Sequence, residues 1–341
     1  MKVAIVGSGA MGSLFAARLA PLVPVTMIAH WAPQLAALQQ YGLTIEEPDG
    51  RRRRLPAGAL RVTSDVTGVA ASDLALVLVK SYQTERAAGE AAAVLAPDGL
   101  ALTLQNGLGN LEKLVAAAGS ERALAGTTSE GATLLAPGLV RHAGRGLTYL
   151  CLCAPEQRSR VAALATLLEE AGFSTRLEDD VMSLLWAKVA VNTGINPLTA
   201  LLETPNGFLA RHVPARALMI AAAEEAEAVA AALGLRLSLP PAGERVVQVA
   251  QATAANTSSM LQDRRNGRPT ELEAITGAVV ASAAELGVAA PVNNALLALS
   301  RAAERGEPWR PQVASMEPPA LRHRFQQLAE LPTVTEEIER G

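Results

Sequence analysis

The first twelve residues constrain the fold more than any other part of the chain. A short apolar run over residues 2–6 precedes Gly7-Ser8-Gly9-Ala10-Met11-Gly12, and a helical pattern follows from Ser13. In such a strand–turn–helix, Gly7 permits the tight turn, Gly9 lets the backbone approach a pyrophosphate, and Gly12 allows close helix packing. The helix N-terminus favours phosphates because its N–H groups are free. The motif predicts a Rossmann-type dinucleotide site formed by Gly7, Ser8, Gly9, Ala10, Met11 and Gly12.

The residues after the second predicted strand, Val25–Ala29, bear on the choice between NAD and NADP. An NAD site usually has Asp or Glu there, which accepts a hydrogen bond from the ribose 2′-hydroxyl. This chain has His30 and Trp31, and the first acidic residue downstream is Glu46. The missing carboxylate removes repulsion against a 2′-phosphate, to which His30 could donate, so NADP is favoured. NAD is not excluded, because no Arg follows the strand and His30 could also be an exposed loop residue.

Two later strands deliver polar residues to one edge of the predicted sheet. The apolar run 73–79 ends at Lys80, and the run 100–105 ends at Asn106, just before Gly107. Ligands of open parallel sheets bind beyond the carboxyl ends of the strands. We therefore expect Lys80 and Asn106 at the cofactor, although Asn106 is also a common turn former ahead of glycine.

Length and pattern predict a two-part α/β protein. The 341 residues are enough for two domains, and the β pattern stops near residue 178. We predict an N-terminal Rossmann-type doubly wound sheet over 1–179 with an inserted hairpin at 43–62, an all-α C-terminal domain over 180–310 for substrate binding and dimerisation, and a tail over 311–341. The predicted helices of the second domain lie near 181–196, 213–233, 243–264, 270–286 and 292–303.

Charge and residue usage exclude several classes of protein. A net charge of -3 gives no sign of a nucleic-acid or membrane partner, and Arg51–Arg54 is either a solvated hairpin edge or an anion site. The two cysteines, Cys151 and Cys153, are not spaced as CxxC, and the four histidines are scattered, so we expect no metal. A strand begins at the N-terminus without a signal-peptide pattern, and no long uncharged apolar window occurs, which predicts a cytoplasmic protein.

One apolar segment, residues 185–200, contains a lone lysine and two asparagines. Read as a helix, it places Lys188, Asn192 and Asn196 at i, i+4 and i+8, in a single polar stripe. Burying an unpaired ammonium is costly, so this stripe faces water, a partner or a ligand. A solvated helix face is the alternative to a cleft wall. Pro197 should end or kink the helix just after Asn196.

Two more polar positions occur in the helical half. The run 256–263 is a polar patch that includes Ser259, within a segment predicted as helix, and Glu271 follows Pro269 at a helix start. A glutamate in such a place ordinarily caps the helix or interacts with its dipole. Periodicity alone does not show that Ser259 or Glu271 faces Lys188.

Taken together and in this order, these blocks resemble the ketopantoate reductase (2-dehydropantoate 2-reductase) family over nearly the whole chain except the tail. The blocks are Gly7–Gly12, Val79-Lys80, Asn106–Gly109, Leu185–Lys188 through Asn196–Ala200, Asn256–Asp263 and Thr270-Glu271.

The resemblance implies NADPH-dependent reduction of 2-dehydropantoate to pantoate, a step towards pantothenate and coenzyme A. It also implies a Rossmann domain joined to a helical domain of the 6-phosphogluconate-dehydrogenase C-terminal type, with the active site between them. Lys188 would match the catalytic lysine and act as general acid. Glu271 would match the active-site glutamate, and Lys80 and Asn106 residues near the nicotinamide. Asn192, Asn196 and Ser259 would match the substrate binders, to which Asn106 also contributes, and His30 stands where Arg is common.

Two other functions remain open at this point. One is a reductase of the same architecture that acts on a different 2-oxo acid, since fold does not fix substrate. The other is a non-catalytic nucleotide sensor, which would have no use for the stripe that begins at Lys188. In each enzyme reading the partner is a small-molecule 2-oxo acid, and the helical half is compatible with a homodimer.

Overall fold

The amino-terminal half is built on a parallel sheet whose central strands are buried on both faces. In this computed structural model the described residues are 1–151, 157–237 and 240–304, so Cys153 and the predicted tail 311–341 lie outside them. The strands are β1 (Val3–Val6), β2 (Val25–Ile28), β3 (Leu43–Glu46), β4 (Arg52–Leu55), β5 (Arg61–Thr63), β6 (Ser72–Val77), β7 (Leu95–Thr103), β8 (Ala123–Thr128), β9 (Gly131–Ala136), β10 (Leu139–Gly144), β11 (Thr148–Cys151) and β12 (Thr175–Glu178).

The main sheet has the strand order β12-β11-β8-β7-β6-β1-β2-β5. Its pairs are parallel except β8 with β11, which is antiparallel. The order reverses next to β1, so the carboxyl ends of β1 and β6 border the crevice where such sheets bind ligands. The helices of this half are α1 (Ala10–Leu19), α2 (Ala32–Tyr41), α3 (Thr84–Val94), α4 (Asn110–Ala118) and α5 (Arg158–Glu170).

Side-chain size decides how the helices pack on this sheet. One face carries large residues, and Phe15 of α1 stacks on Phe173 with ring centroids 4.2 Å apart. The other face is rich in alanine, including Ala87, Ala88 and Ala91 of α3. Small side chains let α3 lie close to the sheet, which explains how a chain with only 3% aromatic residues fills its core.

The predicted hairpin at 43–62 is largely confirmed, with one difference. Strands β3 and β4 pair antiparallel, but β5 leaves the hairpin and joins the edge of the main sheet beside β2. The hairpin then forms a separate sheet in the order β4-β3-β10-β9. The Arg51–Arg54 run is exposed, and Arg52 pairs with Glu46 at 2.7 Å. These contacts agree with a solvated hairpin edge.

The second half is helical, as predicted. Its helices are α6 (Val181–Leu202), α7 (Asn206–Arg211), α8 (Val213–Ala232), α9 (Ala242–Ala252), α10 (Ser259–Arg265), α11 (Ala278–Leu286) and α12 (Pro291–Glu304), with a π-helical turn at Glu273–Gly277 before α11. The single helix predicted at 243–264 is wrong, because residues 253–258 separate α9 from α10. Ser258 causes the new start, since its hydroxyl accepts a hydrogen bond from the Leu261 N–H at 3.2 Å as an N-cap.

Of the two outcomes predicted at Pro197, an end or a kink of helix α6, the end is wrong. The helix continues to Leu202 with the proline inside it. A proline donates no N–H, so the helix lacks one backbone hydrogen bond at this point. Two residues later the Thr199 hydroxyl contacts the carbonyl oxygens of Ile195 at 2.9 Å and Asn196 at 3.0 Å. The polar stripe is therefore carried by one unbroken helix.

Close backbone contacts fix α6 within the helical half. A β-carbon at Gly194 would lie 2.7 Å from the Met219 carbonyl oxygen of α8, so only glycine fits there. Thr193 is fully buried and donates to Asn293 Oδ1 at 2.6 Å. Residues 1–300 form one compact unit. No described helix is both long and apolar enough to cross a membrane.

Candidate active site

The glycine turn after β1 has the shape that a pyrophosphate requires. Gly7 has φ +118°, and a β-carbon at Gly12 would overlap the Gly7 carbonyl oxygen. A β-carbon at Gly9, in contrast, would meet no atom within 4 Å, so open space lies above the turn. Ser8 is buried, Ala10 and Met11 begin α1, and no side chain caps the first turn of that helix. Free N–H groups facing open space suit the phosphates of a dinucleotide.

His30 lies just beyond β2, as predicted, but it has a partner that the sequence did not reveal. Its Nε2 is 2.8 Å from Glu90 Oε1, and Arg86 Nη1 is 2.6 Å from the same oxygen. Helix α3 therefore brings a carboxylate to the end of β2. The spacing of about sixty residues between His30 and Glu90 offers no local signal for this pairing.

Lys80 lies at the carboxyl end of β6 between two acidic residues of the helical half. Its Nζ is 2.5 Å from Asp263 Oδ2 and 3.8 Å from Glu271 Oε2. Burial lowers the pKa of Lys80, but attraction by Glu271 and Asp263 outweighs it, and the net result is a raised pKa. Lys80 is therefore a fixed cation at neutral pH.

Glu271 joins the edge of the Rossmann sheet to the helical half. Its Oε1 accepts from the Ser81 backbone N–H at 3.0 Å, and its Oε2 accepts from Asn106 Nδ2 at 3.3 Å. Only 5% of the residue is exposed. Its carboxylate thus bonds across the two halves, which an ordinary helix cap would not do.

Gly107 explains how Asn106 reaches Glu271. It has φ +86°, and a β-carbon there would lie 2.5 Å from the Ala274 carbonyl oxygen in the π-helical turn. The next residue, Leu108, donates its N–H to the same oxygen at 2.8 Å. Any side chain at position 107 would separate these segments, so glycine permits the contact as well as the turn.

Lys188 projects from α6 towards the end of strand β8. Its Nζ donates to the Thr128 carbonyl oxygen at 2.7 Å, and no carboxylate of the described residues lies within ion-pair distance. Burial lowers the pKa of Lys188 to about 8, although attraction by Glu271 acts in the opposite direction. The side chain is thus an ammonium with a proton that it can give up close to neutral pH.

The remaining members of the stripe have unused hydrogen-bonding groups. The side-chain amides of Asn192 and Asn196 make no hydrogen bond with a described residue, and their polar atoms are not sealed from solvent. Ser259 begins α10 and is partly buried. The start of α10 is tied to α6 beside Asn196, because Thr199 Oγ1 donates to Ser258 Oγ at 2.7 Å. Three polar side chains are therefore available to a ligand.

An open cavity of about 500 Å³ lies next to the contact between the two halves. Tyr82, Leu108, Trp186, Thr270 and Ala274 are among the residues that line it. None of the side chains predicted to act on the substrate lines this cavity, so we distinguish it from the site around Lys188.

The sequence prediction missed two residues that hold the lysines. Thr128 supplies the acceptor for Lys188, and Asp263 supplies the closest acid to Lys80. Thr128 acts through its backbone oxygen, which no side-chain pattern can reveal. Asp263 did belong to the polar patch at 256–263, but the sequence did not show that it is buried, with 5% of the residue exposed.

Comparison with known proteins gives a consistent result. The family model described as ketopantoate reductase PanE/ApbA matches residues 3–152, and the model of its C-terminal part matches 180–304. A 2-dehydropantoate 2-reductase from Halobacterium salinarum is 38% identical over 306 residues, which is 89% of this chain and 99% of the relative.

Solved structures agree on the fold of the whole unit. A PanE/ApbA family ketopantoate reductase from Ralstonia eutropha JMP134 superposes with a TM-score of 0.81 at 31% identity, covering 90% of this chain and 99% of the other. A D-mandelate dehydrogenase in complex with NADH and anilino(oxo)acetate gives a TM-score of 0.83 at 26% identity, with the same coverage. From the two family models and the full-length relative together, the chain belongs to the ketopantoate reductase family.

Proposed function

We propose that this protein catalyses the NADPH-dependent reduction of 2-dehydropantoate to pantoate, with Lys188 as the general acid. The observation that carries the proposal is the partly buried Lys188 ammonium with a pKa of about 8, next to amides that have no partner among the described residues. Family membership and the relatives named 2-dehydropantoate 2-reductase support the choice of substrate.

The residues present fit a nicotinamide dinucleotide. The turn from Gly7 to Gly12 would hold the pyrophosphate, and Lys80, Asn106 and Glu271 would lie near the nicotinamide at the same sheet edge. When bound, the reduced nicotinamide supplies a hydride to the ketone carbon of the substrate. We propose NADPH as the cofactor, although the D-mandelate dehydrogenase of the same fold is described with NADH.

Lys188 would stabilise the negative charge that develops on the carbonyl oxygen and donate a proton to it. One of its three N–H donors is occupied by the Thr128 carbonyl oxygen, which leaves two for the substrate. A general acid works best when its pKa lies near the working pH, and burial brings Lys188 closer to that condition. Fixed donors that meet charge only in the transition state lower the barrier most.

The other polar side chains would orient the substrate. Each step from Lys188 to Asn192 and on to Asn196 advances about 6 Å along the helix. A short branched acid with a carboxylate, a ketone and a hydroxyl can therefore meet different members of the stripe. Ser259 would contact the same molecule from α10, and Glu271 would accept from its hydroxyl. Orientation of this kind removes several kcal/mol of a barrier, on the order of the effects known for positioned reactants.

A second reaction is favoured by one specific observation. The D-mandelate dehydrogenase structure shares this fold over 99% of its own length, so a 2-oxo acid with an aromatic substituent is the competing substrate class. The test is a panel of ketopantoate, phenylglyoxylate and a few aliphatic 2-oxo acids, each with NADPH and with NADH. We expect the highest kcat/KM for ketopantoate with NADPH. A higher value for phenylglyoxylate would replace the proposed substrate, and tight NADPH binding without any turnover would indicate a sensor.

The domain limits 1–179 and 180–310, a homodimer and a cytoplasmic location stay predictions. Sedimentation of the purified chain would test the homodimer.

A further inference from the structure

Arg268 is brought to the end of β2 from the other half of the molecule. It belongs to the segment after α10, and its guanidinium carbon lies 5.9 Å from the centroid of the Trp31 ring. Trp31 is 43% exposed and directly follows His30. The backbone N–H of Arg268 donates to the Asp263 carbonyl oxygen at 2.9 Å, so the same residue that holds Lys80 also anchors Arg268.

The guanidinium of Arg268 is exposed and forms no ion pair with any residue that the structure describes. Its donors are therefore available, apart from the contact of the group with the Trp31 ring. An exposed arginine held over an aromatic ring has a restricted set of positions, which reduces the entropy that it loses on binding an anion.

The other two basic side chains near this edge are already engaged. A carboxylate can only accept, so the Nε2 of His30, 2.8 Å from Glu90, carries the proton of that hydrogen bond. Only the other ring nitrogen, Nδ1, is then left for a second contact, whereas a guanidinium offers several donors. Arg86 also pairs with Glu90, at 2.6 Å.

We propose that Arg268, and not His30, recognises the 2′-phosphate of NADPH. The residues after β2 are those that contact the ribose 2′ group in this fold, and Arg268 is the unpaired guanidinium at that place. Its planar donors match a phosphate with two parallel hydrogen bonds. This inference rests on the proposed NADPH-dependent function. It places the determinant of cofactor choice 238 residues after His30, in the helical half.

The test is nucleotide binding measured by calorimetry, without substrate. Arg268→Gln should raise the Kd for NADPH by about 10- to 100-fold, as expected for loss of hydrogen bonds to a charged group. The Kd for NADH should change by less than about threefold, as for a surface substitution. Adenosine 2′,5′-bisphosphate and AMP, which lack the nicotinamide, should show the same contrast. Arg265→Gln removes an equal charge from the end of α10 and serves as the matched control.

Three results would overturn the assignment. One is an unchanged Kd for NADPH in Arg268→Gln, and another is an equal loss for NADPH and NADH. The third is a selective loss of NADPH binding in His30→Ala that exceeds the loss in Arg268→Gln. Retained NADH binding shows that the variant is folded. Absence of ketopantoate turnover would overturn the proposed reaction alone, because the binding ratio is measured without substrate.

Discussion

Two lysines at the junction of the sheet and the helical half have opposite electrostatic environments. Lys80 lies between Asp263 and Glu271, and its pKa is raised. Lys188 has a carbonyl oxygen as its partner, and burial lowers its pKa to about 8. The difference follows from the partners: two carboxylates overcome the cost of burial, whereas one neutral dipole and a more distant charge do not. Lys80 is suited to hold charge permanently and Lys188 to transfer a proton.

The largest expected effect comes from removing the amine that transfers the proton. Lys188→Met should lower kcat/KM for ketopantoate by about a hundred- to ten-thousandfold, the usual contribution of a positioned general acid. Lys113→Met, on the exposed face of α4, is the control and should retain activity. Steady-state kinetics with NADPH measure both variants. A folded Lys188→Met enzyme within tenfold of the wild type would remove Lys188 from the mechanism.

Glu271→Gln should have the next largest effect. The substitution keeps the size of the side chain but removes the charge that contacts Lys80 and accepts from Ser81 and Asn106. We expect kcat/KM to fall by about 10- to 100-fold, as for hydrogen bonds to an ionised group. Glu273→Gln, two residues away and exposed, is the matched control. Equal kcat/KM values for Glu271→Gln and the wild type would return Glu271 to a capping role.

The two lysines should affect stability in opposite directions. Lys188→Met should raise the free energy of unfolding at pH 7 by about 1 kcal/mol, because an ammonium disfavoured by burial is removed. Lys80→Met should lower it by about 2 kcal/mol, since Asp263 and Glu271 lose their cation. That figure lies below the cost for a fully buried pair because the Lys80 side chain stays 32% exposed. Urea unfolding measures the free energy of unfolding of both variants. Changes of the same sign would contradict the contrast between the two lysines.

The changes in the free energy of unfolding caused by Lys188→Met and Lys80→Met should depend on pH in a definite direction. The folded pKa of Lys188, about 8, lies below the ordinary lysine pKa of 10.5, so the unfolded chain binds more protons between those values. The cost of Lys188 is therefore fully present below about pH 8 and disappears as the pH rises towards 10.5. The folded pKa of Lys80 is raised, so its contribution is fully present below its unfolded pKa and is lost only as the pH rises through the folded value. Urea unfolding repeated at increasing pH should show that the extra stability of Lys188→Met disappears at a lower pH than the stability lost in Lys80→Met.

How much of this site could be read from the sequence depends on how far apart the partners are. The glycine turn and the stripe from Lys188 to Asn196 are local patterns, and both elements form as predicted. The pairing of Lys80 with Asp263 spans 183 positions, and the pairing of β3 with β10 joins strands that are far apart in the chain. At Pro197 the sequence predicted an end or a kink, and only the structure shows that the helix continues to Leu202. Sequence periodicity predicts which face of a helix or strand is polar and which is apolar. It does not predict which other element packs against that face, because tertiary packing decides this.

The smallest expected effect comes from Thr148, whose hydroxyl contacts that of Thr128, the residue that accepts the hydrogen bond from Lys188. Thr128 Oγ1 lies 2.9 Å from Thr148 Oγ1, which helps to fix the end of β8. Thr148→Val keeps the shape but removes that hydrogen bond, at a cost of about 1 kcal/mol. We expect kcat/KM to fall by about threefold to fivefold, on the scale of that energy, together with a shift of its upper apparent pKa. A loss of stability without a change in the pH profile would make Thr148 purely structural.

The most direct test of the role of Lys188 is the pH profile of kcat/KM for ketopantoate with NADPH. If the ammonium of Lys188 donates the proton, activity is high where the group is charged and falls tenfold per pH unit above its pKa of about 8. Lys188→Arg should abolish that decline within the accessible range, because arginine stays protonated. A wild-type profile that stays level well above pH 8, or an unchanged decline in Lys188→Arg, would contradict the account.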